Sequence, residues 1–299
     1  MAEPPRIHIA GDRPDLEQAV RDGGGEPAPL DGADGIVSLT GAPAELPPLP
    51  GSVRWVQLPS AGVEQWIRAG VVRDGRAWTS ATGSFGLAVA EHALALMLAA
   101  DKSLHSFARE RSWTEDGRHQ VRSLAGATVL IVGAGGIGRE LIKMLEPHDV
   151  QVIAVTRSGR DDTLPVERLG EVWGSADHFV IAAPATDGTR HLVGADELAQ
   201  MKPHSWIVNI ARGALIDADA LVEALREERI GGAALDVTEP EPLPDDHPLW
   251  NEPRALITPH VANPPETMNR DLAKRVTENV RRFGAGEDLL APIERDRGY

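Results

Sequence analysis

Short apolar runs alternate with amphipathic stretches along the first part of the chain. Each run is six or seven residues long and is bounded by turn residues, which is typical of buried strands. An amphipathic helix at Asp15–Asp22 fits between the first two runs. This order of strand, helix and strand predicts a parallel sheet covered by helices. The predicted strands are Arg6–Gly11, Gly35–Thr40, Val53–Pro59 and Ala77–Thr82.

A second series of apolar runs begins at Ala127, and helical stretches separate most of them. Six strands with alternating helices match a doubly wound, dinucleotide-binding fold. The predicted strands are Ala127–Gly133, Val150–Thr156, His178–Ala183, Trp206–Ala211, Gly232–Val237 and Ala255–Pro259. The predicted helices are Gly138–Leu145, Ala195–Met201 and Ala218–Glu228.

Two further helices flank this second series. The stretch Leu87–His105 is apolar nearly all round, so it is expected to be buried in a core or at an interface. The stretch Pro265–Arg282 is charged and amphipathic, with its apolar positions on one stripe.

Composition excludes several classes of protein. The 299 residues carry a formal net charge of −15, which disfavours nucleic-acid and membrane partners. There is no cysteine, so disulfides and thiolate metal sites are excluded, and His105, His119 and His148 lack metal-ligand spacing. The chain opens without a signal-peptide pattern, and its longest apolar run is too short to cross a bilayer. We therefore expect a cytoplasmic protein without a metal.

A glycine-rich turn follows the first strand of the second series. It reads Gly133-Ala134-Gly135-Gly136-Ile137-Gly138 and opens a helix with one apolar face, the context that pyrophosphate binding requires. The glycines permit the tight turn, the approach of backbone N–H groups to the phosphates, and close packing of helix on strand. The helix N-terminus then faces the anion. The alternative is an ordinary strand-to-helix turn.

The end of the next strand predicts which dinucleotide is bound. An enzyme specific for NAD usually has an acid there, which binds the ribose hydroxyls. This chain instead has Thr156, Arg157 and Ser158, and a guanidinium suits a 2′-phosphate. The residues thus favour NADP(H), with NAD(H) as the second choice. The alternative is that Arg157 is an ordinary solvated side chain.

Three polar residues follow three strands whose carboxyl ends share one edge of the predicted sheet. They are Arg212, Glu241 and His260. Arg212 offers a planar fork for a carboxylate, and His260 can transfer a proton near neutral pH. Glu241 can accept a hydrogen bond from the imidazole, although Glu239 is a rival. Each of them alone could be an ordinary loop residue, but together they predict an active site.

The sequence resembles the D-isomer-specific 2-hydroxyacid dehydrogenases, a family that includes glyoxylate/hydroxypyruvate reductases and phosphoglycerate dehydrogenases. The resemblance runs from about Gln57 to Ala262. It rests on the stretches VAEHALALML, LAGATVLIVGAGGIGREL, MKPHSWIVNIARGALID, AALDVTEPEPLP and ITPHVA.

The resemblance implies a role for individual residues. Arg212 binds the substrate carboxylate and carbonyl, His260 is the acid/base, and Glu241, counted from Asp236, is its partner in preference to Glu239. Asp236 contacts the nicotinamide carboxamide, and the backbone N–H groups of the loop Ser60-Ala61-Gly62 hold the substrate carboxylate. Pro184 and Ala211 complete the expected cofactor contacts.

The resemblance also implies the architecture. A Rossmann cofactor domain at residues 102–264 is expected to be inserted into a smaller, flavodoxin-like α/β substrate domain at residues 1–101 and 265–299. A homodimer through the cofactor domains is expected. An aromatic residue near Trp113 can reach a partner's active site in relatives, and the alternative for Trp113 is a surface anchor. Thr238 and Asn263-Pro264-Pro265 depart from the family pattern, which leaves the choice of substrate open.

Two functions are compatible with these residues. The first is reduction of a small 2-oxo acid, of the glyoxylate or hydroxypyruvate type, to the D-2-hydroxy acid by NADPH. The alternative is a dinucleotide-sensing protein of the same fold that binds a cofactor without turnover. The complete set of Arg212, Glu241 and His260 favours the enzyme, because a sensor has no need of it.

Overall fold

The computed structural model describes residues 3–113, 115 and 117–294. In this part of the chain the strands are β1 Arg6–Ile9, β2 Glu26–Pro27, β3 Gly35–Val37, β4 Trp55–Gln57, β5 Ala77–Thr79, β6 Thr128–Val132, β7 Gln151–Thr156, β8 Leu164–Pro165, β9 His178–Ile181, β10 Trp206–Asn209, β11 Gly232–Leu235 and β12 Ala255–Ile257. The α-helices are α1 Pro14–Asp22, α2 Glu64–Arg68, α3 Gly86–Asp101, α4 Leu104–Phe107, α5 Gly136–Leu145, α6 Leu169–Val172, α7 Ala195–Gln200, α8 Ala218–Arg226 and α9 Pro265–Ala285.

The chain divides into two compact units. The flanking unit combines the residues up to Phe85 with those from Pro264 onward, and the central unit is Gly86–Asn263. The borders expected from the sequence lie at 101/102 and 264/265, so α3 and Pro264 are the parts that differ. The helix α3 packs against α5, which is why contacts assign it to the central unit. Residues 1, 2 and 295–299 of the expected substrate domain lie outside the described residues.

The flanking unit is a parallel sheet in the order β2-β1-β3-β4-β5. This is the flavodoxin-like order, and it confirms the predicted fold class. The helices α1 and α9 pack together, because α1 buries Leu16 and Val20 while α9 buries Leu272, Val276 and Val280. The strand β2 is two residues long, too short to produce a readable pattern in the sequence.

The central unit is a parallel sheet in the order β12-β11-β10-β9-β6-β7-β8. Its central strands are buried along their whole length, as expected for a parallel sheet with both faces covered. The chain enters the sheet at β6, adds β7 on one side and later adds β9 on the other. This reversal of direction is the switch point at which ligands bind in such folds. The Rossmann-type prediction is confirmed.

The apolar stretch predicted as one helix from Leu87 to His105 is two helices, α3 and α4. The break occurs at Ser103, which has a left-handed backbone with φ of 49°. One face of α3 is buried, whereas Leu87 at its start is 53% exposed. Across the described residues, none of the helices has the length and apolar character needed to cross a membrane.

Candidate active site

The carboxyl ends of β10, β11 and β12 lie side by side, because these strands are neighbours in the sheet. Arg212 follows β10, Glu241 follows β11 and His260 follows β12. The parallel register of the strands therefore places all three residues at one edge of the central unit.

His260 and Glu241 are in direct contact. The imidazole Nδ1 lies 2.6 Å from Glu241 Oε1, and both side chains are about half exposed. The rival carboxylate, Glu239, is bonded to Arg190 at 2.8 Å. It also lies 3.7 Å from His191, so it belongs to a separate cluster. With Nδ1 occupied by Glu241, the other ring nitrogen of His260, Nε2, is the atom left for proton transfer.

The Arg212 loop is held by a buried side chain that the sequence analysis did not single out. Asn209, 1% exposed at the end of β10, donates through Nδ2 to Arg212 O at 2.8 Å. Its Oδ1 accepts from the N–H of Ala211 at 3.1 Å. The signal was available in the stretch VNIARG, where an asparagine ends an apolar strand three residues before the arginine.

A glycine lets this loop touch the loop that carries the acids. A Cβ atom on Gly213 would lie 2.0 Å from the carbonyl carbon of Thr238, a distance that no side chain tolerates. The backbones that follow β10 and β11 are therefore in contact. Arg212 and Glu241 are carried by loops that support each other.

Asp236 occupies the space behind the His260 loop. Its Oδ1 accepts from Thr258 Oγ1 at 2.6 Å and from the N–H of Val261 at 3.0 Å, and its Oδ2 accepts from the N–H of Ala262 at 3.0 Å. The side chain is 1% exposed. The resemblance assigned Asp236 to the nicotinamide carboxamide, whereas here its carboxylate is bonded to the chain's own loop.

The pKa of Asp236 reflects these contacts. Burial by itself raises the pKa of a carboxyl group, but here hydrogen bonds from His92, Thr258, Val261 and Ala262 outweigh it and lower the pKa of Asp236 to about 2. Asp236 is thus ionised at neutral pH although it is buried.

The glycine turn has the shape of an anion cradle. Gly133 has a φ of 103°, and a Cβ there would lie 2.5 Å from the backbone of Ala182 at the end of β9, so only glycine fits. Gly135 caps α5, and a Cβ on it would project into open space, with no atom within 4 Å. The first turn of α5, with Gly136, Ile137 and Gly138, therefore presents free backbone N–H groups to open space. This donor set fits the pyrophosphate of a dinucleotide.

The remaining cofactor candidates lie at ends of strands of the same sheet. Thr156 ends β7, and its Oγ1 is bonded to Thr163 Oγ1 at 2.6 Å and accepts from the N–H of Gly159 at 3.1 Å. Arg157 and Ser158 are exposed, and Arg157 forms no ion pair with a residue that the structure describes. Pro184, beyond β9, is exposed, whereas Ala211, beyond β10, is buried.

The predicted carboxylate loop lies in the flanking unit. Ser60 Oγ donates to Gly62 O at 2.8 Å, and the carbonyls of Ser60 and Ala61 accept from Ala81 N and Thr82 Oγ1. Within the described ranges, the N–H groups of Ser60, Ala61 and Gly62 donate to no protein atom. The loop thus has backbone donors to offer to an anion.

Two other expectations concern single residues and metals. Trp113 is 88% exposed. No group of three or more histidine and acidic side chains suited to a metal occurs among the residues that the structure describes. The side chain of His119 lies outside the described residues, while His105 and His148 are within them.

Comparisons with known proteins identify the family of the chain. Residues 92–262 match the family model of the D-isomer specific 2-hydroxyacid dehydrogenase, NAD binding domain. The chain is 39% identical over 293 residues to a Corynebacterium melassecola protein described as an uncharacterized protein in the proB 3′ region, covering 94% of this chain and 95% of the other. It is 34% identical to a glyoxylate reductase of Aeropyrum pernix, covering 70% of this chain and 67% of the other.

A solved structure of a member of this family is similar to the chain along its whole length. The D-isomer specific 2-hydroxyacid dehydrogenase of Xanthobacter autotrophicus Py2, in complex with NADPH and MES, superposes with a TM-score of 0.81 and 26% identity. The match covers 100% of each chain.

Proposed function

Because the chain belongs to the family of D-isomer-specific 2-hydroxyacid dehydrogenases, enzymes that depend on NAD(P), we propose that it reduces a small 2-oxo acid of the glyoxylate or hydroxypyruvate type. The product is the D-2-hydroxy acid, and NADPH is the preferred reductant. The single observation that carries the proposal is the contact of 2.6 Å between His260 and Glu241 at the strand ends. The similarity to a glyoxylate reductase and to a dehydrogenase complexed with NADPH supports the choice of substrate and cofactor.

The cofactor, when bound, supplies the hydride that is added to the carbonyl carbon of the 2-oxo acid. The chain's own residues do the rest. His260 donates a proton from Nε2 to the carbonyl oxygen, while Glu241 orients the ring through Nδ1. Arg212 offers its guanidinium to the substrate carboxylate and carbonyl. The free N–H groups of the loop Ser60-Ala61-Gly62 are assigned to the same carboxylate.

The residues that would hold the cofactor are those of the turn from Gly133 to Gly138 and of the segment from Thr156 to Ser158. The turn binds the pyrophosphate through backbone N–H groups at the start of α5. Arg157 and Ser158 face solvent, where a 2′-phosphate can reach them. Pro184 and Ala211, at neighbouring strand ends, and Asp236 complete the proposed cofactor contacts.

We assign the active form as a homodimer built through the central unit. Most residues of α3 are apolar. Leu87 on α3 and Leu104 on α4 are each more than half exposed. We base the assignment on these two exposed leucines, which flank a mostly apolar helical stretch, because exposed apolar surface is typical of interfaces.

The test is oxidation of NADPH, followed by its absorbance, with glyoxylate, hydroxypyruvate, pyruvate and phenylpyruvate as substrates. The proposal expects turnover with glyoxylate or hydroxypyruvate and a loss of about 10²–10⁴ in kcat for His260→Ala. Oxidation with none of the four acids, despite cofactor binding, would contradict it and favour the dinucleotide-sensing alternative.

A further inference from the structure

A polar cluster built around one buried carboxylate lies behind the His260 loop in the central unit. It joins Asp236, after β11, to Thr258, after β12, and to His92, in the middle of α3. His92 Nε2 lies 3.0 Å from Thr258 Oγ1 and 3.4 Å from Asp236 Oδ1. Three elements that are remote in sequence thus meet at one carboxylate.

The direction of each hydrogen bond in this cluster follows from the charge of Asp236. Because the carboxylate is ionised at neutral pH, it can only accept, so the single hydroxyl hydrogen of Thr258 points to Asp236 Oδ1 at 2.6 Å. Thr258 Oγ1 is then an acceptor toward His92. His92 Nε2 must therefore carry a hydrogen and donate it.

The same carboxylate controls the backbone around the acid/base. It accepts from the N–H groups of Val261 and Ala262, the two residues after His260. The N–H of His260 itself donates to Asp236 O at 2.8 Å. These bonds hold His260 in a left-handed backbone with φ of 53°, a conformation that is unfavourable for a residue with a side chain. Such a conformation persists only where surrounding contacts enforce it.

We propose that His92 is a positioning residue for this enzyme. It donates to Thr258, which orients the threonine hydroxyl toward Asp236, and Asp236 in turn holds the backbone N–H groups of His260, Val261 and Ala262. The effect on turnover rests on the proposed function, because it acts through the placement of the proton donor. The effect on the loop does not depend on that function.

A purely space-filling role for His92 makes a different prediction. An apolar residue of similar size would then be accepted, and an amide would be no better than leucine. If His92 works as a donor, glutamine can replace it, because its side-chain N–H can reach the same hydroxyl. The pair His92→Gln and His92→Leu therefore separates the two roles.

The experiment compares these two variants with the wild type by amide hydrogen exchange of the unliganded protein and by steady-state kinetics. We expect the amides of Val261 and Ala262 to exchange about tenfold faster or more in His92→Leu, and near the wild-type rate in His92→Gln. We expect kcat to fall about ten- to a hundred-fold in His92→Leu, with the KM of the 2-oxo acid changed less than about threefold. Glutamine should restore most of kcat.

The matched control is His204→Leu. His204 also bonds to an acid, Asp177, at 2.8 Å in the same unit, but it precedes β10 and so lies at the opposite end of the strands. Exchange at Val261 and Ala262 should be unchanged in this variant, as should kcat. A second variant, Thr258→Val, removes the hydroxyl and keeps the shape, so it should accelerate exchange at both amides. Adding His92→Leu to it should have a smaller effect than His92→Leu has in the wild type, because only the direct contact of 3.4 Å between His92 and Asp236 is then left to lose.

Several outcomes would overturn the inference. Wild-type exchange at Val261 and Ala262 in both His92→Leu and Thr258→Val would show that the cluster does not hold the loop. An equal fall in kcat in His92→Leu and His92→Gln would show a packing role. A change in the KM of the 2-oxo acid without a change in kcat would show the same. If His92→Leu does not fold, amide exchange at Val261 and Ala262 in Thr258→Val and His92→Gln decides whether the cluster holds the loop. A wild-type protein that reduces no 2-oxo acid would defeat the proposed function but leave the exchange test intact.

Discussion

Glu241 Oε1 lies 2.6 Å from His260 Nδ1, while the acid two residues earlier, Glu239, is bonded to Arg190. The strand ends of the central unit thus separate two nearby carboxylates into different roles. One can orient an imidazole, and the other belongs to a cluster with Arg190 and His191.

This separation predicts that two conservative substitutions differ in effect: one lowers turnover and the other leaves it unchanged. Glu241→Gln should lower kcat for reduction at neutral pH at least tenfold, because the imidazole loses the group that orients it. This is part of the roughly 10²–10⁴-fold that a general acid typically contributes to the rate. Glu239→Gln is the control, and its kcat should match the wild type. A fall in kcat in Glu239→Gln but not in Glu241→Gln would reverse the assignment.

Arg212 should contribute both to binding and to turnover. Arg212→Ala removes the guanidinium proposed to bind carboxylate and carbonyl, so kcat should fall by about 10²–10³ and the KM of the 2-oxo acid should rise. Arg212→Lys keeps the charge but loses the planar fork, and should recover only part of the activity. The control is Arg226→Ala, an exposed arginine at the end of α8. Full activity in Arg212→Ala would exclude the proposed anchor.

The cofactor preference should depend on Arg157. Because this guanidinium is exposed and forms no ion pair within the described part of the chain, it is available to a phosphate. Arg157→Ala should raise the KM for NADPH about tenfold and leave that for NADH unchanged, since one charged hydrogen bond contributes about 1.5–3 kcal/mol before solvent screening. Arg168→Ala, which removes an arginine paired with Glu171, is the control. Equal or better efficiency of the wild type with NADH would refute the preference.

The exposed side chains of Leu87 on α3 and Leu104 on α4 predict a dimer. Sedimentation of the wild type should give twice the chain mass of 32.0 kDa at micromolar concentration. Leu87→Asp should shift the protein toward monomer, because it places a charge on a side chain expected to be buried between subunits. Met268→Asp changes another exposed apolar side chain, on α9, and should leave the mass unaltered. A wild-type monomer would contradict the prediction.

Asp177 should make stability depend on pH. Its carboxylate accepts from Lys202 Nζ, His204 Nε2 and the N–H of Thr128, and these bonds overcome the opposing effect of burial and hold the pKa of Asp177 well below its usual range. A lowered folded-state pKa stabilises the protein above the unfolded pKa, near pH 4, and this stabilisation is lost as the pH falls below it.

Denaturant unfolding at several pH values tests this effect. Asp177→Asn should lower the free energy of unfolding by about 1–3 kcal/mol at pH 7, and the difference from wild type should diminish below about pH 4. Asp187→Asn, which changes an exposed acid, is the control. A difference that stays constant down to pH 3 would contradict the assignment.

Much of the sheet of the central unit was readable from the sequence alone. Continuous apolar runs predicted its longer strands to within a few residues, and the spacing of Gly133, Gly135 and Gly138 located the turn that opens α5. The reason is that burial on both faces of a parallel sheet, and the conformational demands of a tight turn, act on residues that are close in sequence. Because strand ends share an edge, the same patterns also brought Arg212, Glu241 and His260 together.

The tertiary structure alone decided which residues support these groups. It assigned α3 to the central unit, because that helix packs on α5, and it brought His92 to Thr258 across 166 positions of the chain. It also directed the carboxylate of Asp236 toward the His260 loop. Contacts of this kind depend on how distant elements pack, and no local period or spacing encodes them, so a histidine inside an apolar helix gave no sign of its partner.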